Sequence, residues 1–160
     1  MEFLQQVEKN ALIQGVDSKQ KTFILLPYDE IIAQRLLYVM VAGIFIYKDS
    51  VLITKNSSGL WNVTIEEPLR YGFSYSTLLE HVLFERFAIQ GTHCVQKRVL
   101  SPTRIQPYFL YVYVMYIPYT ARIPIDTEVS RFIDTELLKQ SVFLEPRFFT
   151  PLLIQNIDVV

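Results

Sequence analysis

Four glutamates and three groups that carry or accept a proton crowd residues 61–91, WNVTIEEPLRYGFSYSTLLEHVLFERFAIQG. They are Glu66, Glu67, Glu80 and Glu85, with Arg70, His81 and Arg86. Carboxylates that converge hold a hard divalent cation such as Mg²⁺, which takes several oxygen ligands. A histidine beside them acts as a general base. A plainer reading competes with that chemistry. Glu80 is a solvated helix face, Glu85 forms an ion pair with Arg86 or Arg70, Arg70 pairs with Glu67 or Glu85, and His81 is a surface or half-buried histidine. The plainer reading is favoured, because an arginine next to Glu85 repels a divalent cation and attracts the carboxylates that would hold one.

The elements that must position these groups follow from periodicity. Apolar residues Leu78, Leu79, Val82, Leu83 and Phe87 recur at a helical period and predict a helix over about 74–89. Ser74 or Ser76 caps it, and Gly91 supplies the left-handed stop. Before it, Leu60 to Ile65 reads as a short strand carrying Trp61. Earlier still, Leu37 to Tyr47 and Val51 to Lys55 read as a hairpin turned at Lys48-Asp49-Ser50. Thr22 to Leu26 is a strand stopped by Pro27, and Tyr28 to Arg35 is a helical turn or more. Beyond the helix, Cys94 to Leu100 and Tyr108 to Ile117 are strands. The second is apolar on both faces and so is expected to be covered on both. A short helix over 135–140 is capped by Asp134 or Thr135, and Thr150-Pro151 opens a last one. Residues 1–20 read as a short helix or an arm. This order predicts an α/β fold, with a mixed sheet between helices.

Composition narrows the class. The chain has 160 residues, enough for one domain with a sizeable core. At 51% hydrophobic and 19% charged it is neither disordered nor membrane-like. The longest apolar run, 36–47, is too short for a bilayer span of ~20 residues. MEFLQQVEKN lacks the order of a signal peptide, so a cytoplasmic location is expected. The single Cys94 fits a reducing compartment and a buried apolar role. His93 beside it is expected on the surface of a loop. A net charge of −1 speaks against general nucleic-acid binding. Abundant aromatics and a mean hydropathy of +0.23 leave apolar surface for a protein partner or a second copy. No zinc spacing, Gly-rich phosphate loop or Ser-His-Asp order is found.

Taken together, residues 61–91 resemble the signature of the Nudix family, which hydrolyses nucleoside diphosphates linked to another moiety. VAGIFIYKDSVLITKN resembles the family's first hairpin. Trp61 and its spacing resemble the isopentenyl-diphosphate-isomerase-like branch, as does FFTPLLIQNI near the C-terminus. EVSRFIDTELLKQ resembles the family's late strand and helix. The resemblance implies a Nudix-like domain over residues 21–160. It also exposes losses. Glu66 and Glu67 stand where the branch has a glycine pair, and Gly72 is kept. Phe73 replaces the first glutamate, His81 and Val82 replace the Arg-Glu pair, Arg86 replaces one of the Glu-Glu pair beside Glu85, and Ala88 replaces the closing glycine. Lys55 and Asn56 fall where the family often places a phosphate-facing base. Glu128 and Arg131 fall where it sometimes places a late catalytic glutamate.

These substitutions lead to the expectation of a catalytically degenerate module for binding, regulation or scaffolding. It would hold no metal, and it would bind a protein partner or a nucleotide-like ligand. Lys55, Arg70 and Glu128 are its ligand-binding candidates. The alternative is a metal-dependent hydrolase or isomerase acting on a diphosphate, with Mg²⁺ held by a non-standard site of Glu66, Glu67, Glu80 and Glu85. Asp126, Glu128 and Asp134 form an acidic patch expected to serve solvation. Tyr108, Tyr111, Tyr113, Tyr116 and Tyr119 could stack a base, with core and rim packing the favoured reading.

Overall fold

The computed structural model describes residues 11–17, 19–118 and 128–160. Its strands are β1 (Leu12–Asp17), β2 (Thr22–Pro27), β3 (Tyr38–Tyr47), β4 (Ser50–Lys55), β5 (Trp61–Asn62), β6 (Ile65–Pro68), β7 (His93–Leu100), β8 (Tyr108–Tyr116) and β9 (Ser130–Asp134). Its helices are α1 (Tyr28–Ala33), α2 (Tyr75–Phe87), α3 (Thr135–Leu144) and α4 (Pro151–Asn156), with single 3-10 turns at Pro146–Phe148 and Ile157–Val159.

Seven strands form a mixed sheet in the order β5-β4-β3-β8-β7, with β6 paired to β3 and β9 to β4. The β3–β8 pair is parallel and the other pairs are antiparallel. Side chains alternate across a strand, so β3 divides its residues between two cores. Val41 and Phe45 join Leu78, Leu79, Val82 and Leu83 of α2 on one face. Met40, Ala42 and Ile44 join Leu138 and Val142 of α3, Leu153 of α4 and Trp61 on the other. The mixed sheet between helices is therefore present, and β8 is covered on both faces as its composition requires. A Cβ on Gly43 would sit 2.9 Å from Leu79 Cδ2, so the lack of a side chain there lets α2 lie close on β3.

Three local expectations change. Within the stretch expected as a short helix or an arm, Leu12–Asp17 is a strand, the antiparallel partner of β2, while residues 1–10 lie outside the described residues. Ile13 is buried in the core with Leu36 and Ile31. Gln14 and Gly15 hide the strand pattern. A Cβ at Gly15 would meet Ile31 Cδ1 at 2.6 Å and Leu36 Cδ1 at 3.0 Å, so these side chains would have to shift to admit one. The left-handed residue closing α2 is Ala88, at φ 53°, ahead of Gly91 at φ 74°. His93, expected in a loop, opens β7 as an exposed strand residue. Ser74 caps α2 as expected, in a reciprocal box with Thr77. Among the described residues, no helix is long and apolar enough to cross a membrane.

Candidate functional site

The sheet and α2 together determine where the four glutamates go. Glu66 and Glu67 are consecutive on β6, opposite Ala42 and Val41 of β3, so they point to opposite faces. Glu67 faces α2. There its carboxylate receives Arg86 Nη2 at 2.5 Å, with Arg70 Nη2 3.7 Å away. Glu67 is largely buried, at 14% side-chain exposure, while Arg86 is 42% exposed. Glu85 pairs with His81 one helical turn back, at 3.0 Å. The His81 ring also lies 5.2 Å from that of Phe73. The expected pairing of Arg70 with Glu67 is present. The expected pairing of Glu85 with Arg86 or Arg70 is replaced, because Arg86 reaches across to β6 and leaves Glu85 to its own helix. Glu80 is exposed beside Thr77, Phe84 and Thr92 on the outer side of α2. The four carboxylates do not gather, and among the described residues no three His, Cys, Asp or Glu side chains come together as metal ligands.

Val82 is fully buried among Val41, Phe45, Leu52 and Met115. Cys94 packs against the same core, and burial pushes its thiol up to about 11. The free thiol is therefore protonated at neutral pH, as its apolar reading requires.

On the opposite face, Glu66 belongs to a different network. The buried Asn62 donates from Nδ2 to Glu66 Oε2 at 2.9 Å. Its Oδ1 accepts from Thr150 Oγ1 at 2.6 Å. Thr150 also caps α4, accepting from Leu153 N, and its own N donates to Trp61 O at 2.9 Å. The motif strand and the Phe-Thr-Pro segment, separate in the sequence, are thus tied together through two hydrogen bonds. Sequence reasoning singled out both segments but missed Asn62 as the link. Nearby, the Tyr28 and Tyr38 hydroxyls share a hydrogen bond of 3.2 Å. Burial raises the Tyr38 and Tyr108 hydroxyl pKa, and the hydrogen bond to Tyr28 adds to the shift at Tyr38. Tyr111 stacks on Tyr75 at 4.2 Å and Tyr113 donates to Gln96 at 3.1 Å. Of the candidate tyrosines, Tyr108, Tyr111 and Tyr113 are thus in mutual or core contacts, while Tyr116 is exposed and lies against His93. Tyr119 and Asp126 lie outside the described residues.

A third group was not foreseen. Residues paired across an antiparallel ladder share a face, and so do residues two apart along a strand. Lys55 pairs with Trp61 and Arg131 with Ile53, which puts all three side chains on the face shared by α3 and α4. Arg131 Cζ lies 4.2 Å and Lys55 Nζ 5.0 Å from the Trp61 ring centroid. Trp61 and Arg131 line a cleft of about 370 Å³ with Ile133, Leu144, Glu145 and Phe148. Arg147 lies over the Phe148 ring at 4.9 Å. Lys55 was a candidate on resemblance alone. Arg131 had been grouped with Glu128, and only the β4–β9 register brings it to Trp61. Glu128 lies just ahead of β9 and engages in contacts of its own.

No protein-family model matches the sequence, and no curated protein does. Solved structures do resemble it. The DR0079 protein of Deinococcus radiodurans matches 92% of this chain and 98% of its own, with a TM-score of 0.66 at 12% identity. A Nudix hydrolase from Nitrosomonas europaea matches 76% of this chain and 86% of its own, with a TM-score of 0.55 at 14% identity. A MutT structure, of Aliivibrio salmonicida or Vibrio cholerae, matches 77% of this chain and 98% of its own, with a TM-score of 0.52 at 13% identity. At such identities the likeness is one of fold, and the chain has the Nudix fold.

Proposed function

We propose that this chain is a binding module on the Nudix fold, of regulatory or scaffolding use, in which metal-dependent diphosphate hydrolysis has been lost. One observation carries the reading: Arg86, at a position the resemblance assigns to a metal-binding glutamate, is in an ion pair with Glu67. A cation there, with Val82 buried in the core and Glu85 engaged by His81, does not fit the oxygen-rich donor set that Mg²⁺ requires. By the same resemblance, Glu66 and Glu67 stand in place of a glycine pair, and their side chains remove the close backbone approach that a diphosphate uses. The Trp61–Thr150 connection supports the isomerase-like branch as the origin of the scaffold. What such a module would hold is a protein partner, a second copy or a nucleotide-like ligand.

The test is turnover. The purified chain is incubated with ADP-ribose, a nucleoside triphosphate or isopentenyl diphosphate at millimolar Mg²⁺, and products are resolved by chromatography. No product above the protein-free blank is expected. Turnover that Glu85→Gln abolishes would instead establish the rival reading, a hydrolase or isomerase with an unusual acidic site.

A further inference from the structure

We propose that the Trp61 cleft docks an acidic peptide segment carrying an apolar anchor side chain. The inference deepens the binding-module reading by naming the partner's chemistry. Charge comes first. In a chain of net charge −1, Arg131 lines the cleft, and two more cations lie against rings of its lining: Lys55 against Trp61 and Arg147 against Phe148. None of the three makes an ion pair with a carboxylate among the described residues, whereas Arg70, Arg86 and Arg98 all do. Among the described residues, Glu145 is the one acid in the cleft lining. Guanidinium groups held on aromatic faces keep their in-plane N–H donors directed outward, which suits carboxylates.

Shape selects a peptide over a small anion. The cleft does not end at Trp61. Leu137, Ser141 and Leu144 share one face of α3, spaced at four and three residues, and lead away from it. Leu144 is 72% exposed, and Leu137 and Phe148 are exposed as well. A free phosphate needs none of this apolar surface, while a chain segment covers it by laying an apolar side chain into the cleft and acidic neighbours onto the rim. Rim ion pairs of this kind weaken as salt screens them.

Trp61 is the only tryptophan, so its fluorescence reports from inside the site. The full chain is titrated with a synthetic decapeptide of aspartates around a central Phe-Leu pair. Controls are the same peptide with lysines for aspartates, the aspartate peptide with Gly-Gly for Phe-Leu, and ADP. The expected result is a saturable change with the first peptide alone. It should be weakened roughly tenfold by Arg131→Glu or by Lys55→Glu, and weakened by raised salt. Circular dichroism confirms that each variant folds. Equal response to the lysine peptide, or indifference to both variants, overturns the proposal. So does a saturable response to ADP that Arg131→Glu removes, with none to the acidic peptide, since the occupant is then a diphosphate. Turnover in the hydrolysis assay refutes the loss of catalysis without altering this titration, so the two failures are distinguishable.

Discussion

On the α2 side of the sheet, Arg86 and Arg70 both turn toward Glu67, and Glu85 is held by His81. On the other side, Lys55 and Arg131 lie against Trp61 with no carboxylate partner among the described residues. The first cluster has spent its charge internally. Its groups are engaged with one another above a core that contains Val82, and little remains for a ligand. The second has desolvated its cations only on one side, against aromatic rings, and leaves their other sides to solvent or a partner. The contrast shows why counting acids or bases in a segment is a poor guide to a site. What matters is whether the fold lets their charges cancel before a ligand arrives.

The largest effect should come from forcing an acid back into the first region. Val82→Glu puts a carboxylate into a fully buried apolar position, and the unfolding free energy should fall by about 3 kcal/mol or more. Urea unfolding measures it. If millimolar Mg²⁺ restored the loss, the position would face a metal site after all, and the contrast would collapse.

A smaller loss should follow Glu67→Gln, which strips both arginines of their shared partner. Because Arg86 is well exposed, solvent screens part of the interaction, and about 1–2 kcal/mol is expected in the same measurement. No loss would mean that the ion pairs of the α2 side contribute nothing to stability. The smallest effect belongs to the cleft. Lys55→Ala with Arg131→Ala should change stability by only about 0.5–1 kcal/mol, while visibly shifting Trp61 emission. A large stability loss would show that these cations are structural, and would blur the two regions into one.

Much of the frame was legible in the sequence. The period of Leu78, Leu79, Val82, Leu83 and Phe87 gave a helix whose stripe is buried residue for residue. Asp134 and Thr150 cap the helices assigned to them, although α3 runs on to Leu144 rather than ending near 140. Local signals of this kind depend on neighbours within a turn or two, which one sequence displays. The contacts that define the sites do not. Asn62 meets Thr150, and Arg131 meets Trp61, only through strand register and the docking of α4. Glu66 and Glu67 look like one acidic pair in the sequence, yet the pleat sends them to opposite faces. Arg86 was seen beside Glu85, but its reach to β6 depended on how α2 crosses the sheet.

Metal binding decides the central claim most directly. Thermal melts of the wild-type chain and of Glu85→Gln are compared with and without millimolar Mg²⁺ or Mn²⁺. With Arg86 paired to Glu67 and Val82 in the core, neither cation should move the midpoint of either protein. A saturable rise in the wild type that Glu85→Gln abolishes would contradict the account.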